Sequence, residues 1–159
     1  MVRTVVVFDI DGVVADVRHR LHFLDSAPKD WSGFFAAAGQ DLPLADGIAL
    51  ARAALADHDL VWLTGRPERL RRVTERWLAD HGLPRGPLLM RRQRDFRPAR
   101  VAKREALREL AGSRQIALVV DDDPEVVAAL VEDGFAARLA DWVPRSATIR
   151  SAQEGDGRT

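Results

Sequence analysis

The chain has 159 residues, with 24 basic and 24 acidic side chains and no cysteine. That length fits one domain, able to bury roughly 70 % of its unfolded surface without staples. Disulfides, thiolate metal sites and cysteine nucleophiles are excluded, and zero net charge sets up no global field toward nucleic acid or membrane. No apolar segment reaches membrane length and the start lacks a signal peptide's long apolar core, so a cytoplasmic chain without a membrane partner is expected.

The first element is the apolar run 4–8, which predicts a strand buried in a parallel sheet. It ends in Asp9-Ile10-Asp11-Gly12. Strand carboxyl ends open onto the crevice where α/β proteins bind ligands. Gly12 permits a sharp turn there. Two clustered carboxylates repel unless a proton or cation lies between them, and Mg²⁺ is a natural partner. The plainer reading is a strand ending in polar turn residues.

Residues 17–44 are irregular and hold His19, Arg20, His22, Trp31, Phe34 and Phe35. They are too few for a large cap and suit a small lid over the crevice. Trp31, Phe34 and Phe35 follow helical spacing, which favours packing, although one of them could stack on a base or sugar. A helix is predicted over 46–57 and a strand over 60–63, followed by Thr64-Gly65-Arg66-Pro67. Thr64 offers a hydroxyl at a strand end. Gly65 allows close approach to a ligand, and the amides that open the next helix suit an anion. Pro67 is expected at the first helical position of a helix over 67–81. Alone, these four residues are more often a turn than a site.

A strand over 87–90 leads into Arg91–Arg104, which has seven basic residues against one acid. Such a run is either a track for backbone phosphates or, more often, a solvated face. Only two of the 24 basic residues are lysines, Lys29 and Lys103. Lys103 lies near the start of a helix predicted over 98–111. Its compact ammonium suits a phosphoryl group beside an aspartate better than a guanidinium fork does. A strand over 116–120 then ends in Asp121-Asp122-Asp123-Pro124. Asp123 is a good N-cap and Pro124 a good first residue for a helix over 124–133. Capping does not account for Asp121 and Asp122. If the two acid-ended strands are neighbours, Asp9, Asp11, Asp121 and Asp122 converge. A last strand is predicted over 135–139, with Gly82 and Gly134 ending helices. The alternation predicts an α/β fold with a doubly wound parallel sheet over residues 1–150, and residues 151–159 as a flexible tail.

The order Asp-x-Asp-Gly, Thr-Gly-Arg, Lys, Asp-Asp resembles the four-motif signature of the haloacid dehalogenase superfamily, most of whose members are phosphatases. The resemblance runs from Val5 to Trp142. Within the superfamily the chain is most similar to the phosphatase domain of phage-type polynucleotide kinase-phosphatases and their small stand-alone relatives. Shared stretches are Leu63-Thr64-Gly65-Arg66, Arg76-Trp77-Leu78, Leu88-Leu89-Met90-Arg91, Val101-Ala102-Lys103-Arg104-Glu105 and Asp121-Asp122. Arg20 also matches a substrate-contacting arginine of that group. Two positions depart from the pattern. Val13 follows Gly12 where threonine is commoner, and Ala99 stands where the polynucleotide phosphatases carry an aspartate that helps fix the motif lysine.

The resemblance implies Mg²⁺-dependent hydrolysis of a phosphate monoester through an aspartyl-phosphate. Asp9 is implied as nucleophile and Asp11 as acid and base, with its side chain off the metal. Mg²⁺ is expected on Asp9, the backbone carbonyl of Asp11 and Asp121, with Asp122 holding a metal-bound water or orienting Lys103. Thr64 and Lys103 are expected on the phosphoryl oxygens. Arg20, Gly65 and Arg66 are expected as substrate contacts, the two arginines at the crevice mouth. The first-choice substrate is a nucleotide or polynucleotide 3′-phosphate. A small phosphorylated metabolite, enclosed by a homo-oligomer, is the enzymatic alternative, and a non-catalytic phosphate-binding module is the third.

Overall fold

The computed structural model describes residues 2–159. In chain order the elements are β1 (Val5–Phe8), β2 (Ala15–Asp16), α1 (Trp31–Ala36), β3 (Leu42–Pro43), α2 (Ala45–Ala54), β4 (Asp59–Pro67), α3 (Arg71–Asp80), β5 (Leu88–Arg91), α4 (Ala99–Ala111), β6 (Ile116–Asp121), α5 (Pro124–Glu132), β7 (Ala137–Leu139) and α6 (Ala147–Arg150). Five strands form one parallel sheet in the order β5-β4-β1-β6-β7. β1 is central, and the chain winds outward from it in both directions. This is the expected doubly wound α/β fold.

Period-two alternation of strand side chains divides the core between two faces. Val6 and Phe8 of β1 join Ile48, Ala51, Trp62, Trp77 and Leu78, beneath α2 and α3. Val5 and Val7 join Val61, Leu63, Ala99, Leu107, Val126 and Leu130, beneath α4 and α5. All four residues of β1 are 2 % exposed or less, which is why this strand is apolar throughout.

Residues 17–44 hold a 3₁₀ segment (Arg18–Leu24), the short helix α1 and β3, which pairs with β2 just before them in a two-stranded ribbon. Phe34, Phe35 and Leu24 pack with Ala152 in a third, smaller cluster. The aromatic residues of helical spacing therefore serve packing, with Trp31 only partly buried.

Two expectations change. β4 runs on through Thr64 to Pro67, and a 3₁₀ turn (Glu68–Leu70) separates it from α3. Pro67 is therefore extended, with ψ 151°, and does not begin a helix. Continued pairing of Pro67 with Arg91 of β5 accounts for the longer strand. Residues 151–159 are also not frayed. A π-helical turn (Ser151–Gly155) extends α6, and Ala152, Gln153 and Thr159 are buried. Ala152 anchors in the aromatic cluster and Arg158 lies over the Trp31 and Phe96 rings. A polar composition conceals those contacts.

Candidate active site

The carboxyl ends of β1, β4 and β6 meet where the strand order diverges, and the polar residues singled out in the sequence gather there. Asp9 follows β1, and its backbone N–H donates to the Val120 carbonyl at 2.9 Å. Asp121 closes β6, and its Oδ1 accepts the backbone N–H of Asp123 at 2.9 Å. Asp9, Asp121 and Asp122 each present a carboxylate oxygen within 4.8 Å of the others. Gly12, at φ +76°, makes the turn that lets Asp122 close in, since a Cβ there would stand 2.2 Å from Asp122 Oδ2.

Lys103 projects from the first turns of α4 into this cluster. Its Nζ lies 2.6 Å from Asp121 Oδ2 and 3.2 Å from Asp9 Oδ2. Asp121, not Asp122, therefore orients the lysine. Ala99 packs in the apolar cluster under α4, so Asp121 clamps Lys103 without an acid at position 99. Burial alone would discharge the lysine, but Asp121 and Asp9 outweigh it and hold the ammonium charged. Burial and then the Asp121 charge raise Asp9 well above the usual carboxylate range, and the same two causes push Asp122 up to about 7. Three acids share one cation. Hard oxygen donors held together against their own repulsion suit a divalent metal.

Asp11 belongs to a separate cluster. Its Oδ1 accepts from Arg66 Nη2 at 2.6 Å and Nε at 2.9 Å, and from Arg20 at 3.4 Å. Asp41, which the sequence reading does not single out, completes the group. It accepts from Arg20 Nε at 2.8 Å and Arg66 Nη2 at 2.8 Å, and pairs with His19 at 2.6 Å. Nothing local marks Asp41, because it lies in the irregular lid, far along the chain from Asp11. Burial would raise Asp11, but Arg66 and then Arg20 outweigh it and bring it down to about 2. Arg20 and Arg66 are completely buried and are not at the crevice mouth. Two carboxylates at hand draw them inward.

Thr64 is buried in β4, and its hydroxyl accepts the Arg66 N–H at 3.1 Å. Gly65 lies against Thr159, with no helix terminus following it. A cavity of about 490 Å³ between β5 and α4 reaches Thr64 and Lys103. The basic run beside it is mostly neutralised. Arg97 pairs with Asp95 and Glu105, Arg100 with Glu154, and Arg104 with Asp133. Arg91 is buried on backbone carbonyls, among them Gly65 and Arg97. Arg92 and Arg94 form no ion pair among the described residues. No described helix is long and apolar enough to cross a membrane.

The sequence matches the family described as the polynucleotide kinase PNKP phosphatase domain over residues 3–137. No curated protein matches it. Among solved structures, a chain of the Pnkp1/Rnl/Hen1 RNA repair complex superposes with a TM-score of 0.73 at 25 % identity, covering 86 % of this chain and 42 % of that one. A second structure of the Pnkp1/Rnl/Hen1 complex gives 0.72 at 26 % identity, covering 87 % and 46 %. This chain thus spans less than half the length of those proteins. A haloacid dehalogenase-like hydrolase from Streptococcus pneumoniae shares the fold, with a TM-score of 0.67 at 13 % identity over 96 % of this chain and 91 % of that one.

Proposed function

Because the chain belongs to the family of polynucleotide kinase PNKP phosphatase domains, with the haloacid dehalogenase-like fold, we propose that it hydrolyses phosphate monoesters at nucleotide or polynucleotide 3′ ends. The observation that carries this reading is the division of the acids. Asp9, Asp121 and Asp122 converge, while the Asp11 side chain is held apart from them by Arg66. Phosphate binding alone has no use for that second, separate carboxylate.

An Asp9 carboxylate oxygen attacks phosphorus, the bond to the ester oxygen breaks, and an aspartyl-phosphate forms. Asp11 serves the departing oxygen as acid. It then takes a proton from the water that attacks the aspartyl-phosphate, which releases phosphate and restores Asp9. In the free protein Asp11 is ionised. The negative charge of the bound phosphoryl group must therefore raise Asp11, so that it takes up from solvent the proton it hands to the leaving oxygen. Lys103 and the Thr64 hydroxyl hold the phosphoryl oxygens. Mg²⁺ on Asp9, the Asp11 carbonyl and Asp121, with Asp122 beside it, would supply charge neutralisation at the phosphoryl oxygens.

The 3′-end substrate class is supported by the family and by the likeness to chains of an RNA repair complex. The small-metabolite reading keeps one observation in its favour, the internal pairing of Arg97, Arg100 and Arg104. Turnover of a 3′-phosphorylated oligonucleotide, its 5′-phosphorylated counterpart and sugar phosphates, each with Mg²⁺, separates the two. Preference for the 3′-phosphate by about tenfold or more in kcat/KM, about 1.4 kcal/mol, supports the proposal. Preference for a sugar phosphate overturns it.

A further inference from the structure

The segment after β7 returns to the site and lies across it. Arg145 donates to Asp123 Oδ1 at 3.1 Å and to Gln153 Oε1 at 2.7 Å. Gln153 in turn donates to Asp122 Oδ1 at 3.3 Å. Ala152 is fully buried among the lid aromatics. Gly157, at φ +59°, passes so close to the Phe96 carbonyl that a Cβ would stand 2.0 Å from it. The Arg158 guanidinium covers the Phe96 ring at 4.3 Å.

At Thr159 the segment reaches the carboxylate read as acid and base. Asp11 Oδ1 is taken by Arg66 and Arg20, which leaves Oδ2 to face the reacting group. The Thr159 hydroxyl donates to that oxygen at 3.1 Å. Thr159 is 5 % exposed, and its backbone fills the space that Gly65 leaves by having no side chain. A departing alcohol must come within hydrogen-bond reach of the same carboxylate oxygen. Thr159 offers an alcohol in that position already.

We propose that residues 145–159 form an intramolecular strap that occupies the leaving-group side of the site in place of a product alcohol, and that must withdraw before a substrate enters. The proposal rests on the reading of Asp11 as acid and base. The contacts that hold the strap suit a reversible device. Lys29 reaches Ser151 at 3.1 Å and Asp156 at 2.5 Å, and Arg100 reaches Glu154 at 2.5 Å. Lys29, Asp156 and Arg100 keep part of their side chains in solvent, although Glu154 is largely covered, and partly solvated pairs of this kind contribute modestly. If the open state is a minor population, apparent substrate affinity falls by that fraction.

Two variants of the full chain test this, both altered outside the residues given catalytic or phosphate-binding roles. In the first, Lys29→Gln, Arg158→Ser and Thr159→Val together weaken the latch. In the second, Lys29→Cys and Asp156→Cys are joined by a short bis-maleimide, clean chemistry in a chain without cysteine. The readouts are hydrogen exchange over 146–158 and kcat/KM for p-nitrophenyl phosphate and a 3′-phosphorylated oligonucleotide, with Mg²⁺. The latch variant should exchange faster and gain about tenfold in kcat/KM, the factor expected if the wild type is open about a tenth of the time. The bridged form should lose turnover relative to the same protein unbridged. Equal kcat/KM in bridged and unbridged protein overturns the strap, whether or not the latch variant folds. A folded latch variant with faster exchange and no gain overturns it too. Absence of turnover in every form would instead defeat the phosphatase reading, and the strap with it.

Discussion

Two buried charge clusters lie side by side at the end of this sheet, and they are built on opposite principles. Around Asp11, two carboxylates meet two guanidiniums, and every guanidinium is spent on a hydrogen bond. Around Asp9, three carboxylates share one ammonium. The first cluster is closed and neutral. The second is left negative, which a folded protein tolerates only where protons or a metal complete it. A neutral buried network fixes the position of Asp11, and an unfinished one has the donors to hold a metal ion.

The contrast is broken most severely by Asp9→Asn. It should lower phosphatase turnover more than about a hundredfold, about 3 kcal/mol or more in barrier. Thermal melting should show the fold retained, since a repelling charge is removed at constant volume. Retention of more than a hundredth of the wild-type rate would contradict the nucleophile assignment.

Arg66→Ala attacks the neutral cluster and should act chiefly on stability. It leaves buried Asp11 with Arg20 at 3.4 Å as its one remaining cation, while Asp41 keeps Arg20 and His19, at a cost of about 3 kcal/mol. Denaturant unfolding measures this, and a loss below about 1 kcal/mol would show the network to be solvated. Lys103→Arg keeps charge but puts a wide fork where Asp9 and Asp121 hold a compact ammonium. Turnover should fall by about tenfold, and a change within about threefold, under 1 kcal/mol, would place Lys103 outside the mechanism.

The clusters also carry opposite signatures in pH. Asp11 is depressed from 3.8 to about 2, so its stabilising contribution is present above its unfolded value and is lost as pH falls toward 2. Asp122 is raised from 3.8 to about 7, so metal-free stability declines as pH climbs from about 4 to about 7. Mg²⁺ should therefore raise the melting temperature by several degrees above about pH 7 and hardly at all near pH 4. Equal shifts at both pH values would contradict the acid cluster as the metal site.

The two clusters are unequally legible in the sequence. Strand-end acids following apolar runs stand out because β1 and β6 must be apolar, and their pattern implies that Asp9, Asp11, Asp121 and Asp122 converge if the strands are neighbours, without disclosing that the Asp11 side chain turns to Arg66 instead. The doubly wound order follows from the same runs and from the helices between them. Asp41 is invisible, because an irregular lid has no periodicity that says which side chain turns inward. Arg20 and Arg66 stand out as site residues but are expected at the crevice mouth, since nothing in the sequence discloses that a second carboxylate draws them under. The folded tail escapes notice for a related reason. Its contacts are a buried alanine, glutamine and threonine, a few ion pairs and two arginine–aromatic contacts, none of which leaves a pattern.

The central claim is that Asp11 works apart from the metal-binding acids, and calorimetric titration of Mg²⁺ into Asp11→Asn and Asp121→Asn, beside turnover, tests it most directly. Asp11→Asn should bind Mg²⁺ within about threefold of wild type, under 1 kcal/mol, yet lose turnover by about a hundredfold or more. Asp121→Asn should lose the metal. Loss of Mg²⁺ binding in Asp11→Asn, or retained turnover without that carboxylate, would contradict the account.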